Sequence, residues 1–191
     1  MGQSVLAGAN PQLDCPLSRG CELMMNIKEK VDMPELNPAE FRHAASRFTT
    51  GVTVITSLAR NKEIIGMTAN SFMTVSLSPP TVLVSVMNGR TLNAIEHSGK
   101  FAINVLPAAA KDISNHFAGR PVPGLTPDFA KSRGMPKLKE AIAYFDCRIE
   151  KFIQVADHTL LVAKVNDCCY KDVEDPLIFF SSQYHSLNAE I

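Results

Sequence analysis

Five β-branched residues follow one another in the stretch Val52-Thr53-Val54-Ile55-Thr56. Such side chains favour extended backbone because they pack well on a pleated surface, so we predict a strand here. Further strand-like runs cover residues 63–68, 71–76, 81–86, 101–106, about 141–155, 158–171 and 177–180. The chain is therefore predicted to be rich in short strands, with one pair of long strands near its end.

Helical patterns are fewer and shorter than the strand patterns. One helix is predicted to begin near Pro38 and to end at Gly51, on the apolar stripe of Phe41, Ala44, Ala45 and Phe48. Two more cover residues 91–97 and 108–118. Because none of them forms a regular βαβ unit, the pattern favours a mainly β barrel with a few short peripheral helices over a doubly wound sheet.

The composition indicates a single globular domain. The chain has 191 residues and a formal net charge of zero, with 19 basic and 19 acidic side chains. This balance argues against a nucleic-acid partner or an anionic membrane partner, both of which favour a basic excess. Residues 35–191 are predicted to form the domain. Residues 1–34 lack a sustained period and are predicted to be a tail, or an arm on a partner subunit.

The cysteines and the apolar segments indicate a cytoplasmic protein. The five cysteines form no CxxC pair, and an odd number fits neither a disulfide framework nor a zinc ribbon. Reduced thiols in the cytoplasm are the expected state. No apolar run approaches the roughly 18 residues that a membrane-spanning helix needs, and no secretory signal is expected at the N-terminus.

The first candidate site is the segment Gly66-Met67-Thr68-Ala69-Asn70-Ser71-Phe72. Small and polar residues here interrupt a run of apolar strand residues, so backbone N–H groups and an Asn amide are exposed together. That arrangement suits the edge of a flat heterocycle with alternating donors and acceptors. The alternative is turn chemistry, in which Asn and Ser bond their own backbone.

The second candidate site is Ser85-Val86-Met87-Asn88-Gly89-Arg90-Thr91. A strand, a glycine loop with one arginine, and a helix start together predict an anion site. The helix N–H groups and the guanidinium can both bind phosphate. The alternative is a solvated arginine in an ordinary loop.

The third candidate site is Asp157-His158-Thr159, between the two long strands. His158 could be a proton donor, a nicotinamide contact or a metal ligand, or it could be a structural residue bonded to its neighbouring Asp. The other four histidines form no metal-ligand spacing with it, so a metal is not expected. They are His43, His97, His116 and His185.

Taken together, these segments resemble the flavin reductase-like family, the reductase components of two-component flavin monooxygenases. The resemblance is carried by residues 50–56, 66–72, 78–80, 101–106 and 157–159, in that order along the chain. It implies an FMN-binding split β-barrel, Greek-key-like and usually homodimeric. One departure is Ala156, where the family commonly has a glycine before the Asp-His pair.

The resemblance also implies roles for individual residues. The flavin ring and ribityl chain would contact Met67, Thr68, Ala69, Asn70 and Ser71. The sugar-phosphate side would contact Ser85, Val86, Arg90 and Thr91, with Phe101 and Asn104 nearby. His158 would be the catalytic candidate at the nicotinamide, as a positioning or charge-compensating contact rather than an obligatory proton donor.

The implied activity is hydride transfer from NADH or NADPH to FMN or FAD, with reduced flavin released to a separate monooxygenase. Stacking of the two rings at close range would leave the protein mainly to orient and tune them. Two alternatives stay open. One is a reductase that keeps its flavin bound and reduces another acceptor, such as a corrinoid or a metal chelate. The other is a flavin-binding module without turnover.

Overall fold

The structure, a computed structural model, describes residues 36–131, 133–172 and 174–187. The predicted tail or arm of residues 1–34 lies outside the described residues, and so do Cys15 and Cys21. The elements named below all belong to the described ranges.

The helices are short and few, as predicted. They are α1 (Pro38–Ala45), α2 (Arg90–Ser98) and α3 (Lys111–Phe117), and a 3₁₀ turn at Ala108–Ala110 precedes α3. Helix α2 confirms the pattern at 91–97, and the 3₁₀ turn with α3 confirms the pattern at 108–118. In the described part of the chain, none of these helices has the length and apolarity to cross a membrane.

Twelve strands run through the described residues. They are β1 (Thr50–Gly51), β2 (Thr53–Leu58), β3 (Ile64–Ala69), β4 (Met73–Leu77), β5 (Pro80–Met87), β6 (Lys100–Val105), β7 (Phe129–Ala130), β8 (Lys137–Leu138), β9 (Ala143–Val155), β10 (His158–Tyr170), β11 (Ile178–Phe180) and β12 (Gln183–His185).

A seven-stranded sheet forms the body of the fold, in the order β3-β2-β6-β9-β10-β5-β4. Its neighbouring strands pair antiparallel throughout. The long hairpin of β9 and β10 lies near the middle and confirms the predicted pair of long strands. The mainly β class with a few short helices is thus confirmed.

Strand β2 is buried on both faces, and this explains its unbroken β-branched sequence. Val54 faces a cluster completed by Leu106, Ile113 and other side chains around α3. Its neighbour Ile55 faces the larger cluster, which includes Phe101, Val84 and Leu161. Two apolar cores therefore lie on opposite sides of one strand.

Two local predictions differ from the structure. Helix α1 ends at Ala45 rather than at Gly51, because the next backbone bonds are tighter turns, such as that from the Phe48 N–H to the Ala45 carbonyl. Phe48 is then 78% exposed instead of sharing a buried stripe. Strand β5 begins at Pro80, one residue before the predicted run 81–86; the first residue of a strand is a position that tolerates proline.

Candidate active site

The segment 66–72, called the motif segment below, is fixed from one side by helix α3. The Thr68 hydroxyl at the end of β3 donates a 2.6 Å hydrogen bond to the Ser114 carbonyl of that helix. A Cβ on Gly66 would lie 2.9 Å from the Phe117 ring and 3.1 Å from the Ile55 carbonyl oxygen. Glycine at position 66 therefore permits α3 to pack closely on the strand that carries the motif segment.

A second set of hydrogen bonds joins the motif segment to β5. The Ser71 hydroxyl donates to the Ser85 carbonyl at 2.8 Å and accepts from the Ser85 N–H at 3.0 Å. The Ala69 carbonyl accepts a 2.7 Å bond from the buried Thr53 hydroxyl. The structure therefore brings two of the sequence-predicted segments into direct contact at Ser71 and Ser85.

A largely apolar cavity of about 610 Å³ borders this junction. Asn70, Ser71, Phe72 and Phe48 are among its lining residues. Asn70 is exposed, and its amide makes no hydrogen bond to the rest of the described chain. The volume lies within the range of about 300–1,000 Å³ that is common for cofactor and ligand sites. An apolar wall with one amide at its rim fits a flat heterocycle.

The segment 87–91, called the arginine loop below, lies at the start of α2. Arg90 is the first residue of that helix and makes a 3.1 Å ion pair with Glu63, in the turn between β2 and β3. The guanidinium therefore borders a second cavity, of about 780 Å³, rather than the cavity at Asn70. Thr91 and Val86 have buried side chains, so only their backbone groups are available to a ligand.

His158 begins β10 beside the arginine loop. It pairs with Met87 across the sheet, and the Asn88 N–H donates to the Asp157 carbonyl at 3.4 Å. The His158 ring is 40% exposed, and its Nδ1 lies 2.8 Å from the Asp157 carboxylate. The hydrogen bond from His158 holds the pKa of Asp157 below its usual value. Asp157 therefore remains an anion that orients the imidazole.

The turn before His158 contains Ala156, one of the places at which the sequence departs from the family it resembles; the arginine loop is another. Ala156 has a φ of 50°, in the left-handed region that favours glycine. The chain thus keeps the backbone conformation of a glycine turn without having the glycine.

Phe101 and Asn104 belong to the core rather than to the site. Both side chains have no exposed surface. The Asn104 amide donates to the Val54 carbonyl and the Thr56 hydroxyl, at 3.1 Å each, and accepts from the Leu138 N–H at 2.8 Å. All of its hydrogen bonds lie inside the protein, so we leave both residues out of the proposed ligand contacts.

Two residues that the sequence did not assign to the site, Ser114 and Tyr184, stabilise the helix that contacts the motif segment. Ser114 is fully buried, and its hydroxyl lies 2.8 Å from the Tyr184 hydroxyl. Through Ser114, Tyr184 braces the helix that holds Thr68. Their separation along the chain left no local pattern from which this contact could be predicted. Within the described ranges, no group of three or more His, Cys, Asp or Glu residues could hold a metal ion.

Strands β4, β5, β9 and β10 present an apolar outer face next to the site. Cross-strand pairing puts Met87, His158 and Val155 side by side, with Ile153 next to Leu160. Met87 is 55% exposed and Val155 is 50% exposed. This surface, called the outer face below, also includes Met73, which pairs with Leu83.

Comparison with known proteins agrees with this geometry. The "Flavin reductase like domain" family matches residues 45–188. The chain is 37% identical to the NADH-dependent flavin reductase StyB of Pseudomonas fluorescens, over 84% of this chain and 96% of StyB.

Two solved structures are also similar. One is the flavin reductase PheA2, with a TM-score of 0.76 and 40% identity, covering 81% of this chain and 100% of PheA2. The other is the styrene monooxygenase flavin reductase of Pseudomonas putida S12, with a TM-score of 0.74 and 37% identity, covering 79% and 99% of the two chains. The predicted split-barrel class and flavin reductase activity are confirmed by these matches. The chain belongs to the flavin reductase-like family.

Proposed function

We propose that this flavin reductase takes a hydride from NADH or NADPH, passes it to FMN or FAD, and releases the reduced flavin to a separate monooxygenase. The observation that carries the proposal is the junction of Ser71 with Ser85 beside an apolar cavity with the Asn70 amide at its rim. The relatives named as a flavin reductase and as a monooxygenase flavin reductase support the reaction and the type of partner.

The residues of the motif segment would orient the flavin ring. Ala69 belongs to the larger core cluster and Met67 packs against it, so these two residues would contribute backbone groups. Asn70 would provide a donor and an acceptor for the edge of the ring. Thr68 and Ser71 have their hydroxyls bonded to protein groups, so they fix the backbone of the segment. Flavin, when bound, supplies the electron-accepting ring system. Donors fixed in advance favour the negative charge that develops on reduction, because they need no rearrangement.

Ser85, Val86, Arg90 and Thr91 would hold the sugar-phosphate side of the flavin. Arg90 supplies the positive charge, and the backbone N–H groups at the start of α2 supply further donors. In the structure the Nη2 atom of this guanidinium is paired with Glu63, so a phosphate that binds through Nη2 has to displace the carboxylate.

His158 would bind the nicotinamide side. Its ring is partly exposed, is oriented by Asp157, and lies next to the arginine loop. The imidazole can orient the nicotinamide amide, and in its protonated form it can compensate a phosphate charge. The hydride transfer itself needs no general base from the protein.

The test is a steady-state matrix of NADH and NADPH against riboflavin, FMN and FAD. We expect the purified protein to oxidise at least one nicotinamide, with a rate that saturates in added flavin. Failure to oxidise either nicotinamide in the presence of FMN or FAD would leave only a flavin-binding module. Turnover of another acceptor by tightly bound flavin alone would favour a reductase that keeps its flavin bound.

We also propose that two copies of the chain associate through the outer face. Met87, Val155 and Ile153 expose apolar surface on one side of the sheet, which is typical of an interface. Ile153→Glu should shift the protein from dimer to monomer in light scattering. Phe152→Glu is the matched control, because Phe152 is equally exposed at 43% and points to the opposite face of β9. A monomeric wild-type protein would exclude the dimer.

A cytoplasmic location fits the thiol chemistry. Cys147, Cys168 and Cys169 are all free thiols. Burial raises the pKa of Cys147 to about 12, and the neighbouring Asp146 carboxylate adds to the shift. Cys147 therefore stays protonated and acts as a core residue, whereas the exposed Cys168 and Cys169 are compatible with a reducing compartment.

A further inference from the structure

The ion pair between Arg90 and Glu63 engages the Nη2 atom of the guanidinium that we assign to the phosphate site, in a cavity that Arg60 also lines. The Arg90 Nη2 atom lies 3.1 Å from the Glu63 Oε1 atom. The two side chains are 77% and 52% exposed, so water and dissolved anions reach both partners. An exposed pair of this kind is weak and opens readily.

Glu63 is held in place by its own backbone rather than by Arg90. Its N–H donates to the Asn61 side-chain oxygen at 3.1 Å, and its carbonyl accepts from the Ala59 N–H at 2.9 Å. The turn between β2 and β3 therefore fixes the backbone of Glu63, from which the carboxylate reaches Arg90. When Arg90 is free of a ligand, its preferred anion is already beside it.

The shared cavity of Arg90 and Glu63 contains further charges. Arg60, His97 and Glu96 also line it. Among the described residues, Glu63 forms a salt bridge with Arg90 in this cavity, whereas Glu96 forms none. Glu96 is thus a second carboxylate in the same cavity that does not contact the guanidinium.

We propose that Glu63 is an internal competitor for the phosphate of the flavin at Arg90. The inference rests on the proposed function, in which Arg90 binds that phosphate. The Glu63 carboxylate contacts the Nη2 atom, and a phosphate bound bidentately by the guanidinium would use the same nitrogen, so the two anions compete for it. Glu63 then lowers the affinity for FMN and FAD but leaves the affinity for riboflavin unchanged. A lowered affinity favours release of reduced flavin to a partner.

Flavin dissociation constants, measured from the quenching of flavin fluorescence, test the inference. For Glu63→Gln and Glu63→Ala we expect tighter FMN binding by about 1.5- to 5-fold, the range that corresponds to one exposed ion pair. Riboflavin binding should not change. Glu96→Gln is the matched control, because it removes a carboxylate of the same cavity that does not touch Arg90, and it should have no effect.

Arg90→Ala separates failure of the inference from failure of the proposed function. We expect it to weaken FMN by about tenfold or more relative to riboflavin, the loss expected for a charge-assisted hydrogen bond. In the Arg90→Ala background, Glu63→Gln should no longer tighten FMN binding.

Several outcomes would overturn the inference. If Arg90→Ala weakens FMN and riboflavin equally, the phosphate assignment fails and the inference fails with it. If Arg90→Ala discriminates between them but Glu63→Gln does not tighten FMN, only the inference fails. An equal gain from Glu96→Gln, or a gain that persists without Arg90, would show a general effect of charge instead of competition.

Discussion

The motif segment and the arginine loop are the two parts of the proposed flavin site, and their polar groups are in opposite states. In the motif segment the hydroxyls of Thr68 and Ser71 are bonded to protein groups at 2.6–2.8 Å. In the arginine loop the charged group is exposed and is held by a single ion pair with Glu63.

This difference separates two tasks of the site. The bonded hydroxyls fix the backbone of the motif segment before a ligand binds, and donors held in place in advance are the condition for electrostatic stabilisation. An exposed arginine exchanges one anion for another at small cost, which suits a ligand that must also leave. Changes in the motif segment should therefore affect folding and binding together, and changes in the arginine loop should affect binding alone.

The largest difference in the free energy of unfolding is expected between alanine at Gly66, in the motif segment, and alanine at Gly89, in the arginine loop. Gly66→Ala puts a Cβ against the Phe117 ring and the Ile55 carbonyl, whereas a Cβ at Gly89 would meet nothing within 4 Å. We expect Gly66→Ala to lower the free energy of unfolding by about 3 kcal/mol, as over-packing does at its upper end. Gly89 is the N-cap of α2, where alanine is less favourable than glycine, so Gly89→Ala should lower it by about 1 kcal/mol or less. Urea unfolding measures both, and equal effects would contradict the difference between the two segments.

The next effect is expected at Ser71. Ser71→Ala removes both hydrogen bonds to Ser85 and leaves the Ser85 N–H without this partner, which costs about 2 kcal/mol. Flavin affinity should fall with stability, because the same bonds position Asn70. Ser76→Ala is the control, since that hydroxyl accepts one exposed bond from Ser78 and should matter little. Unfolding and flavin titrations together give the result, and a variant that loses stability but binds flavin normally would separate Ser71 from the site.

Most of the fold could be predicted from the sequence because strands depend on local pattern. The β-branched run at β2, the long hairpin of β9 and β10, and helices α2 and α3 were all predicted within a few residues. The end of α1 was not, because a turn of tighter hydrogen bonds at 45–48 replaces the helix there. Such a choice depends on packing, which periodicity does not report.

The site could be predicted only in part, because a side chain's partners are set by tertiary contacts. The family resemblance implied that Asn104 lies near the flavin, but its amide is bonded to Val54, Thr56 and Leu138. The pairing of Arg90 with Glu63 joins residues that no short motif connects. Sequence reasoning identifies the residue types that a ligand requires, and the fold decides which of them face it.

His158 offers a third comparison, between flavin and nicotinamide binding. We expect His158→Ala to raise KM for the nicotinamide about tenfold, equivalent to about 1.4 kcal/mol, with a smaller effect on flavin affinity. The physical reason is loss of a partly exposed ring that Asp157 orients beside the arginine loop. His185→Ala, at an exposed histidine on β12, is the control. Weaker flavin binding with an unchanged nicotinamide KM would mean that the two ligands are placed the wrong way round.

The smallest effect concerns the backbone of the turn that carries His158. Ala156 has a positive φ of 50°, a conformation that costs a residue with a Cβ about 1–2 kcal/mol. Glycine relieves this strain but makes the unfolded chain more flexible, which costs about 0.4–1 kcal/mol. The difference leaves Ala156→Gly more stable by about 0.5–1 kcal/mol. Ala109→Gly, at an exposed alanine in the 3₁₀ turn, should be destabilising because it has no strain to relieve.

Thermal and urea unfolding of Ala156→Gly and Ala109→Gly decide the point, and the nicotinamide KM adds a second measure. If the strain serves only the turn, Ala156→Gly gains stability and leaves KM unchanged. If the added flexibility loosens the contact between Asn88 and Asp157, KM rises while flavin binding is unaffected. A loss of stability would show that the left-handed conformation at Ala156 is not strained. In that case the backbone of the turn is fixed before any ligand binds, as it is in the motif segment. The arginine loop differs from both, because its exposed charged group is held by one ion pair.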